Sequence, residues 1–395
     1  MLPAPSYWPP GHYLLDLLDE YQIKSAFHAM TSHTLQEPTM KRFFLTRLFT
    51  IPCWVVVFTI ASNIVLYRSG MALQNPYLKV DRAVLLDTWN EKDPRRSDVI
   101  FVGDSRTGNG FVPGVVDNEA HSVGTDVSSY NLAGPASTIP SDAGTIDYIV
   151  GRRAKPRLVV WGVGRRQTAL FNFDDFQRNE ATLGVALDLF KQTPDWQNVC
   201  TLGFCITRPF RILLQAPMRL LPQYRQKMET ARRVKGTAWA YEIDAWSRAH
   251  NHELMSIAAL SPAQRAEEFS KLSKHPEFIT PFRSEPTIME ALRFGNRRAR
   301  QNGIRVIVVN MPMHSARTAQ EKAYGYDAYL RWIREVCREQ ELCFVDLNQP
   351  PWLPPDSEFV DSHHLSAQGA ARLSRSFTRE FIVPILKASP QGAQP

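Results

Sequence analysis

Apolar positions along the chain fall into three regimes. From Ile51 to Tyr67 the run IPCWVVVFTIASNIVLY carries no charge. From about residue 95, short β-branched runs alternate with stretches in which apolar residues recur every three or four positions. Between about 172 and 285 that rhythm lapses into helical, locally basic sequence such as RQKMETARRVKG. The short runs lie in SDVIFVGDS, VSSYNLAGPAS, KPRLVVWGVG, IRVIVVNMPM and LCFVDL. Strands that are apolar on both faces belong in a parallel sheet covered by helices on each side. SDAGTIDYIVGRR and EPTIMEALRFGNRRARQNG read as helices between strands. SAQGAARLSRSFTREFIVPIL reads as a last helix with Ala370, Leu373, Phe377 and Phe381 on its core-facing stripe. The predicted class is α/β, with five strands and a helical insertion over 172–285.

Extended to Leu48 and Phe49, the first apolar run approaches the roughly 20 residues that cross about 30 Å of hydrocarbon. Pro52 lies near its start, where a missing N–H costs least. Trp54 and Tyr67 stand near its two ends, where interfacial aromatics gather. The pattern predicts a transmembrane helix over 47–68. The preceding 46 residues and the lack of a small-x-small cleavage site favour an uncleaved anchor over a signal peptide. Lys41, Arg42 and Arg47 crowd the upstream flank, and Arg68 and Lys79 are sparser downstream. The N-terminus is therefore expected in the cytoplasm and the long C-terminal part outside. Within 11–30, Leu14, Leu15, Leu18, Tyr21 and Phe27 recur at helical spacing. Both an amphipathic helix on a membrane or partner and an ordinary surface helix fit that spacing. The expected organisation is a cytoplasmic or interfacial segment (1–46), the span (47–68), a linker (69–94), an outer domain (95–385) and a disordered tail (386–395).

Composition narrows the classes further. A chain of 395 residues that is 44% hydrophobic, with Gly 20 and Pro 28, is neither disordered nor collagenous. A net charge of +7 is small for this length. It suits an anionic surface or polymer, and no nucleic-acid module accompanies it, so no nucleic-acid partner is expected. Cys53, Cys200, Cys205, Cys337 and Cys343 form no CxxC pair and no zinc spacing with histidine, so neither metal nor cofactor is expected. Cys53 reads as a small hydrophobe. Cys200 with Cys205, and Cys337 with Cys343, are open to two readings, free thiols or local disulfides. GVGRRQT lacks both the dinucleotide fingerprint and the phosphate-binding loop pattern.

Two segments carry candidate chemistry. In FVGDSRTGNG, Ser105 directly follows the run VIFV, at the carboxyl edge where open α/β sheets place their sites. Asp104 and Ser105 also suit simple helix capping. In FVDSHHLSAQGAARL, Asp361 stands three residues before His364, just ahead of the last helix. A serine hydroxyl needs an imidazole to take its proton, and the imidazole needs a carboxylate to hold the right tautomer. A hydrogen-bonded loop, or half of a metal site, is the plainer reading of Asp361 and His364, and His363 is an adjacent competitor.

Together the Gly-Asp-Ser and Asp-x-x-His segments resemble the SGNH/GDSL esterase superfamily over about 97–385. The resemblance implies a three-layer α/β/α sandwich with a mainly parallel five-stranded sheet, and a triad of Ser105, Asp361 and His364. It also implies oxyanion donors at the backbone N–H groups of Ser105 and Gly134. The family carries a Gly-x-Asn-Asp segment after the third strand. Here WGVGRRQT keeps Gly162 but has Gly164 or Arg165 where the Asn would stand. Arg165 and Arg166 are candidates for contacting a substrate or oxyanion, with Asn131 and Asn310 as further candidates. With the expected anchor, the chain resembles a membrane-anchored branch, the alginate and cellulose O-acetylation proteins and the teichoic acid D-alanyl transfer protein. That resemblance implies a bacterial inner-membrane O-acyltransferase, an O-acetyltransferase on family frequency, with its catalytic domain in the periplasm. Its expected partners are a multipass membrane O-acyltransferase, an acyl donor, a polysaccharide acceptor and the cytoplasmic membrane. A carbohydrate or lipid esterase of the same class stays open, as does a non-enzymatic assembly protein of an exopolysaccharide complex.

Overall fold

A computed structural model describes residues 97–134, 136–152, 156–168, 181–192, 222–236 and 280–388, with short stretches within 85–90, 198–205 and 261–267. The strands are β1 (Val99–Val102), β2 (Ser129–Asn131), β3 (Leu158–Val163), β4 (Arg305–Asn310) and β5 (Cys343–Asp346). They form one sheet in the order β2-β1-β3-β4-β5, and every neighbouring pair is parallel. The chain leaves β1 toward β2 and then crosses back to β3. The strand order therefore reverses between β1 and β3, where doubly wound sheets open a crevice at their carboxyl ends.

Alternation along each strand sends residues to two cores. Ile100, Val102, Val159, Trp161, Val163 and Val308 face one side. There they pack with helices α3 (Ile139–Gly151), α4 (Leu183–Gln192), α6 (Pro286–Arg300) and α8 (Tyr326–Glu339). Val99, Phe101, Leu158, Val160, Ile307 and Val309 face the other. Those residues pack against α2 (Pro113–Ser122) and α9 (Ala367–Phe377), giving three layers, α/β/α. Ala370, Leu373 and Phe377 are buried on α9 as the stripe predicts, and Phe381 is half-buried against Trp352. Within the interval 172–285 the described helices include α4 and α5 (Pro222–Val234).

Contacts of two kinds hold the last helix over the end of β1. Phe111 stacks on Phe101 at 4.6 Å and meets the edge of Phe377 at 5.1 Å. The Val112 N–H donates to Ser374 Oγ at 2.9 Å. Ser366 caps α9 by accepting from the Gly369 N–H at 3.2 Å, so the helix starts just after His364. The Phe111–Phe377 and Val112–Ser374 contacts join segments about 260 residues apart in sequence.

One expectation is corrected here, and one open reading is decided. Among the described residues no helix is long and apolar enough to cross a membrane. Helix α6 has 15 residues and ends in Arg297, Arg298 and Arg300, and the stretch continuing from α9 carries Arg372, Arg375, Arg379 and Glu380. These helices bury one face and charge the other. The span expected at 47–68 lies outside the described residues, as do the segment 1–46 and the tail from 389. The anchored arrangement thus finds no membrane-crossing element, and the expectations built on it are set aside. These are the inner-membrane and periplasmic placement, the multipass partner, the polysaccharide acceptor and the anchored acyltransferase. As for the cysteines, Cys200, Cys205, Cys337 and Cys343 are all free thiols. Cys337 is a core residue whose thiol burial pushes up to about 12, while Cys343 is exposed at the start of β5.

Candidate active site

Ser105 is the first residue of the short helix α1 (Ser105–Gly110), with Gly103 and Asp104 between it and β1. The turn between them needs glycine. Gly103 has φ +151°, and a Cβ there would sit 2.2 Å from Thr107 Oγ1 and 2.7 Å from the Gly162 carbonyl. Asp104 caps the helix by accepting from the Arg106 N–H at 3.0 Å. Its carboxylate also takes Arg106 Nε at 2.9 Å and Nη2 at 2.7 Å. Burial pushes the Asp104 carboxyl up, but Arg106 and then Arg166 more than reverse this and hold it below the usual carboxylate range.

Asp361 and His364 meet Ser105 from the other end of the chain. Asp361 Oδ1 accepts the backbone N–H groups of His363 (2.8 Å) and His364 (2.7 Å), closing a tight turn. Its Oδ2 lies 2.6 Å from His364 Nδ1, and His364 Nε2 lies 2.8 Å from Ser105 Oγ. Burial raises the Asp361 carboxyl, yet its electrostatic interaction with the two adjacent imidazoles and these hydrogen bonds hold it well below its ordinary value. An ionised carboxylate only accepts, so Nδ1 must carry the proton. The Nε2 lone pair of neutral His364 then faces the serine hydroxyl.

His363 stacks on His364 with ring centroids 4.0 Å apart, and its Nδ1 lies 2.9 Å from Ser362 Oγ. Burial first, then the neighbouring His364 charge, drives its pKa well below the usual imidazole value and keeps it neutral. The ligand atoms of Asp361, His363 and His364 all lie within 4.8 Å of one another. Both nitrogens of His364 are already engaged by Asp361 and Ser105, so a metal ion would have to displace one of these contacts.

The other residues singled out in the sequence divide between site and scaffold. The Gly134 N–H donates to the Gly103 carbonyl at 2.9 Å, which commits it within the turn. The Ser105 N–H stands at the first position of its helix, where no intrahelical acceptor exists. Asn131 is fully buried. Its amide donates to the carbonyls of Thr107 (3.3 Å) and Phe111 (2.8 Å), and its oxygen accepts from the Ala133 N–H, so it braces α1. Asn310 is also fully buried, donating to Tyr326 on α8 and to Asp346, its partner at the end of β5. Arg165 is buried against Glu321, Nε to Oε2 3.1 Å, and donates to the Thr280 carbonyl at 2.6 Å. Arg166 is half-buried, and its charge acts on both Asp104 and His363, which flank the Ser105–His364 contact.

Arg106 went unremarked as a site residue from sequence, and the signal for it was its position beside Ser105 and Asp104. His363 was set beside His364 as a competitor, and the structure stacks its ring on that of His364.

Compared with known proteins, the chain matches no family model and no curated protein. What class it resembles is therefore judged from fold and geometry. A parallel five-stranded sheet in three layers, with a hydrogen-bonded Ser–His–Asp set at its carboxyl edge, resembles a hydrolase of the SGNH/GDSL type.

Proposed function

We propose that this protein is a serine hydrolase that cleaves carboxylic esters through an acyl-enzyme. One observation carries the reading, the unbroken line from Asp361 through His364 to Ser105, with contacts of 2.6 and 2.8 Å. His364 Nε2 takes the hydroxyl proton as Ser105 Oγ bonds to the ester carbonyl carbon, and the carbonyl π electrons move to oxygen. The tetrahedral species collapses, the C–O bond to the alcohol breaks, and His364 returns the proton to that alcohol. Water then repeats the sequence. His364 takes its proton, the carboxylic acid departs, and Ser105 regains its hydrogen. Asp361 keeps its charge throughout and balances the imidazolium.

Active-site labelling with a fluorophosphonate and hydrolysis of p-nitrophenyl acetate test the proposal. Wild type is expected to take up one label and to release acetate. Ser105→Ala is expected to lose the label and, with it, at least a thousandfold in turnover. Equal labelling of both proteins would remove Ser105 as nucleophile. Analysis with an added alcohol identifies the acyl acceptor. Free acid as the main product supports hydrolysis, and an ester of the added alcohol would make the protein an acyltransferase instead.

A further inference from the structure

A tetrahedral oxyanion on the Ser105 adduct needs hydrogen-bond donors, and the Gly134 N–H is already spent on the Gly103 carbonyl. We propose that Arg106 is a catalytic residue that donates from Nη1 to this oxyanion. The proposal rests on Ser105 being the nucleophile.

The guanidinium is fixed before any substrate arrives. Arg106 is only 5% exposed. Nε and Nη2 are held by Asp104, and Nη2 reaches Gln167 Oε1 at 3.3 Å. Gln167 is fixed in turn by Asp142 Oδ2 at 3.1 Å, which also accepts from Trp161 at 3.2 Å. Nη1 stands apart from this network. No described residue accepts from it, so its N–H groups are not committed to Asp104 or Gln167.

The place of that group in the sheet also fits. Gly164 opens the turn after β3, and β3 lies beside β1. A Cβ on Gly164 would come within 2.2 Å of both Nη1 and Nη2. The Arg106 guanidinium therefore fills the space a side chain at 164 would enter, and no amide from that position can reach the site. Ser105 thus has the Gly134 turn on its β2 side and Arg106 on its β3 side. The Arg106 charge is felt at His363, beside the triad histidine.

The role asks only for a hydrogen bond. Burial alone would loosen the Arg106 proton, but Asp104 outweighs it and holds the proton more tightly than usual. Arg106 thus stays cationic through both acyl-transfer steps and moves no proton. Asp104 offsets most of its charge in the resting site, which keeps the burial tolerable. As negative charge grows on the carbonyl oxygen, a fixed cationic donor in a dry site needs no reorganisation to meet it.

Kinetics on p-nitrophenyl acetate with the full chain test the assignment. Arg106→Lys keeps a cation for Asp104, but one ammonium cannot also reach the oxyanion with the guanidinium geometry. Its kcat is expected to fall about 100-fold with KM changed less than threefold. Asp104→Asn combined with Arg106→Met removes the ion pair as a unit and leaves no uncompensated buried charge. This pair is expected to lose about 100- to 1,000-fold in kcat. Adding Gly164→Asn, for which the missing guanidinium makes room, is expected to recover about tenfold or more, while Gly164→Ala in the same background recovers nothing. The assignment is overturned if Arg106→Lys or the double variant keeps kcat within threefold of wild type, or if Gly164→Ala rescues as well as Gly164→Asn. A Ser105→Ala protein that still turns over would instead remove the parent reading.

Discussion

His363 is held neutral beside the imidazole that would become charged in the proposed reaction. Its ring lies 4.0 Å from that of His364, and burial and the His364 charge depress its pKa well below 6.5. In the unfolded chain the same imidazole takes a proton near pH 6.5. The unfolded state therefore binds more protons below that pH, and stability falls as the pH drops from 6.5 toward the folded value. One such group contributes a slope of up to about 1.4 kcal/mol per pH unit. His363→Asn is expected to flatten the loss of stability between pH 7 and pH 5, measured by denaturant titration at each pH. Parallel slopes for variant and wild type would show that His363 titrates as it does in the unfolded chain. Residues of this kind separate what sequence reveals from what it hides. Ser105, Asp361 and His364 stood out because a hydroxyl, a carboxylate and an imidazole sat at turns flanking predicted elements. Asn131 and Asn310 sit at strand ends too, yet both point into the core as brackets. Only packing tells a strand-end amide that serves a site from one that braces a turn.

Among the elements, the strands were legible because both faces of a covered sheet are apolar, and VIFV, LVVW and VIVV show it without ambiguity. Helix α1 was not. SRTGNG holds two glycines and no apolar residue, a composition that reads as a turn. It is helical because Asp104 caps it, Asn109 Nδ2 donates to the Ser105 carbonyl at 2.8 Å, and Asn131 grips two of its neighbouring carbonyls. Its entry turn depends on Gly103, whose φ of +151° is one that side-chain-bearing residues rarely adopt and whose Cβ space is taken by Thr107 and a backbone carbonyl. Gly103→Ala is expected to cost about 2–4 kcal/mol, from backbone strain plus overpacking. It should also displace Ser105 enough to remove most of the fluorophosphonate labelling. Gly114→Ala is the control, since nothing lies within 4 Å of a Cβ there and helix α2 gains propensity. Thermal unfolding should separate the two clearly. Equal midpoints would mean that the β1–α1 turn relaxes around a side chain at little cost.

For the whole molecule, strand count was legible and strand order was not. Nothing local in a strand says which neighbour it will pair with, and β1 lies between β2 and β3 only because long crossovers carry the chain around it. The same long-range closure builds a buried ionic clamp that sequence does not announce. Glu321, on helix α7 (Ser315–Lys322), takes Arg317 Nη2 at 2.8 Å on Oε1 and Arg165 Nε at 3.1 Å on Oε2. All three side chains are at most 3% exposed. Arg165 belongs to the turn after β3, so this one carboxylate ties that turn to the helix after β4. Burial and then the like charges of Arg165 and Arg106 already loosen the Arg317 proton against the pull of Glu321. Glu321→Gln would leave two buried guanidinium groups sharing no anion, and is expected to cost about 3–5 kcal/mol in denaturant unfolding. The exposed pair Arg338–Glu335 supplies the contrast, because Glu335→Gln should leave stability unchanged within error. The turn that Arg165 anchors also carries Arg166 and Gln167, and Gln167 helps to hold Arg106 beside Ser105. Folded Glu321→Gln protein, assayed well below its unfolding midpoint, is therefore expected to lose kcat on p-nitrophenyl acetate as well as stability. A variant that is destabilised yet fully active would show that the clamp supports the fold alone, and that the turn after β3 keeps its shape without it.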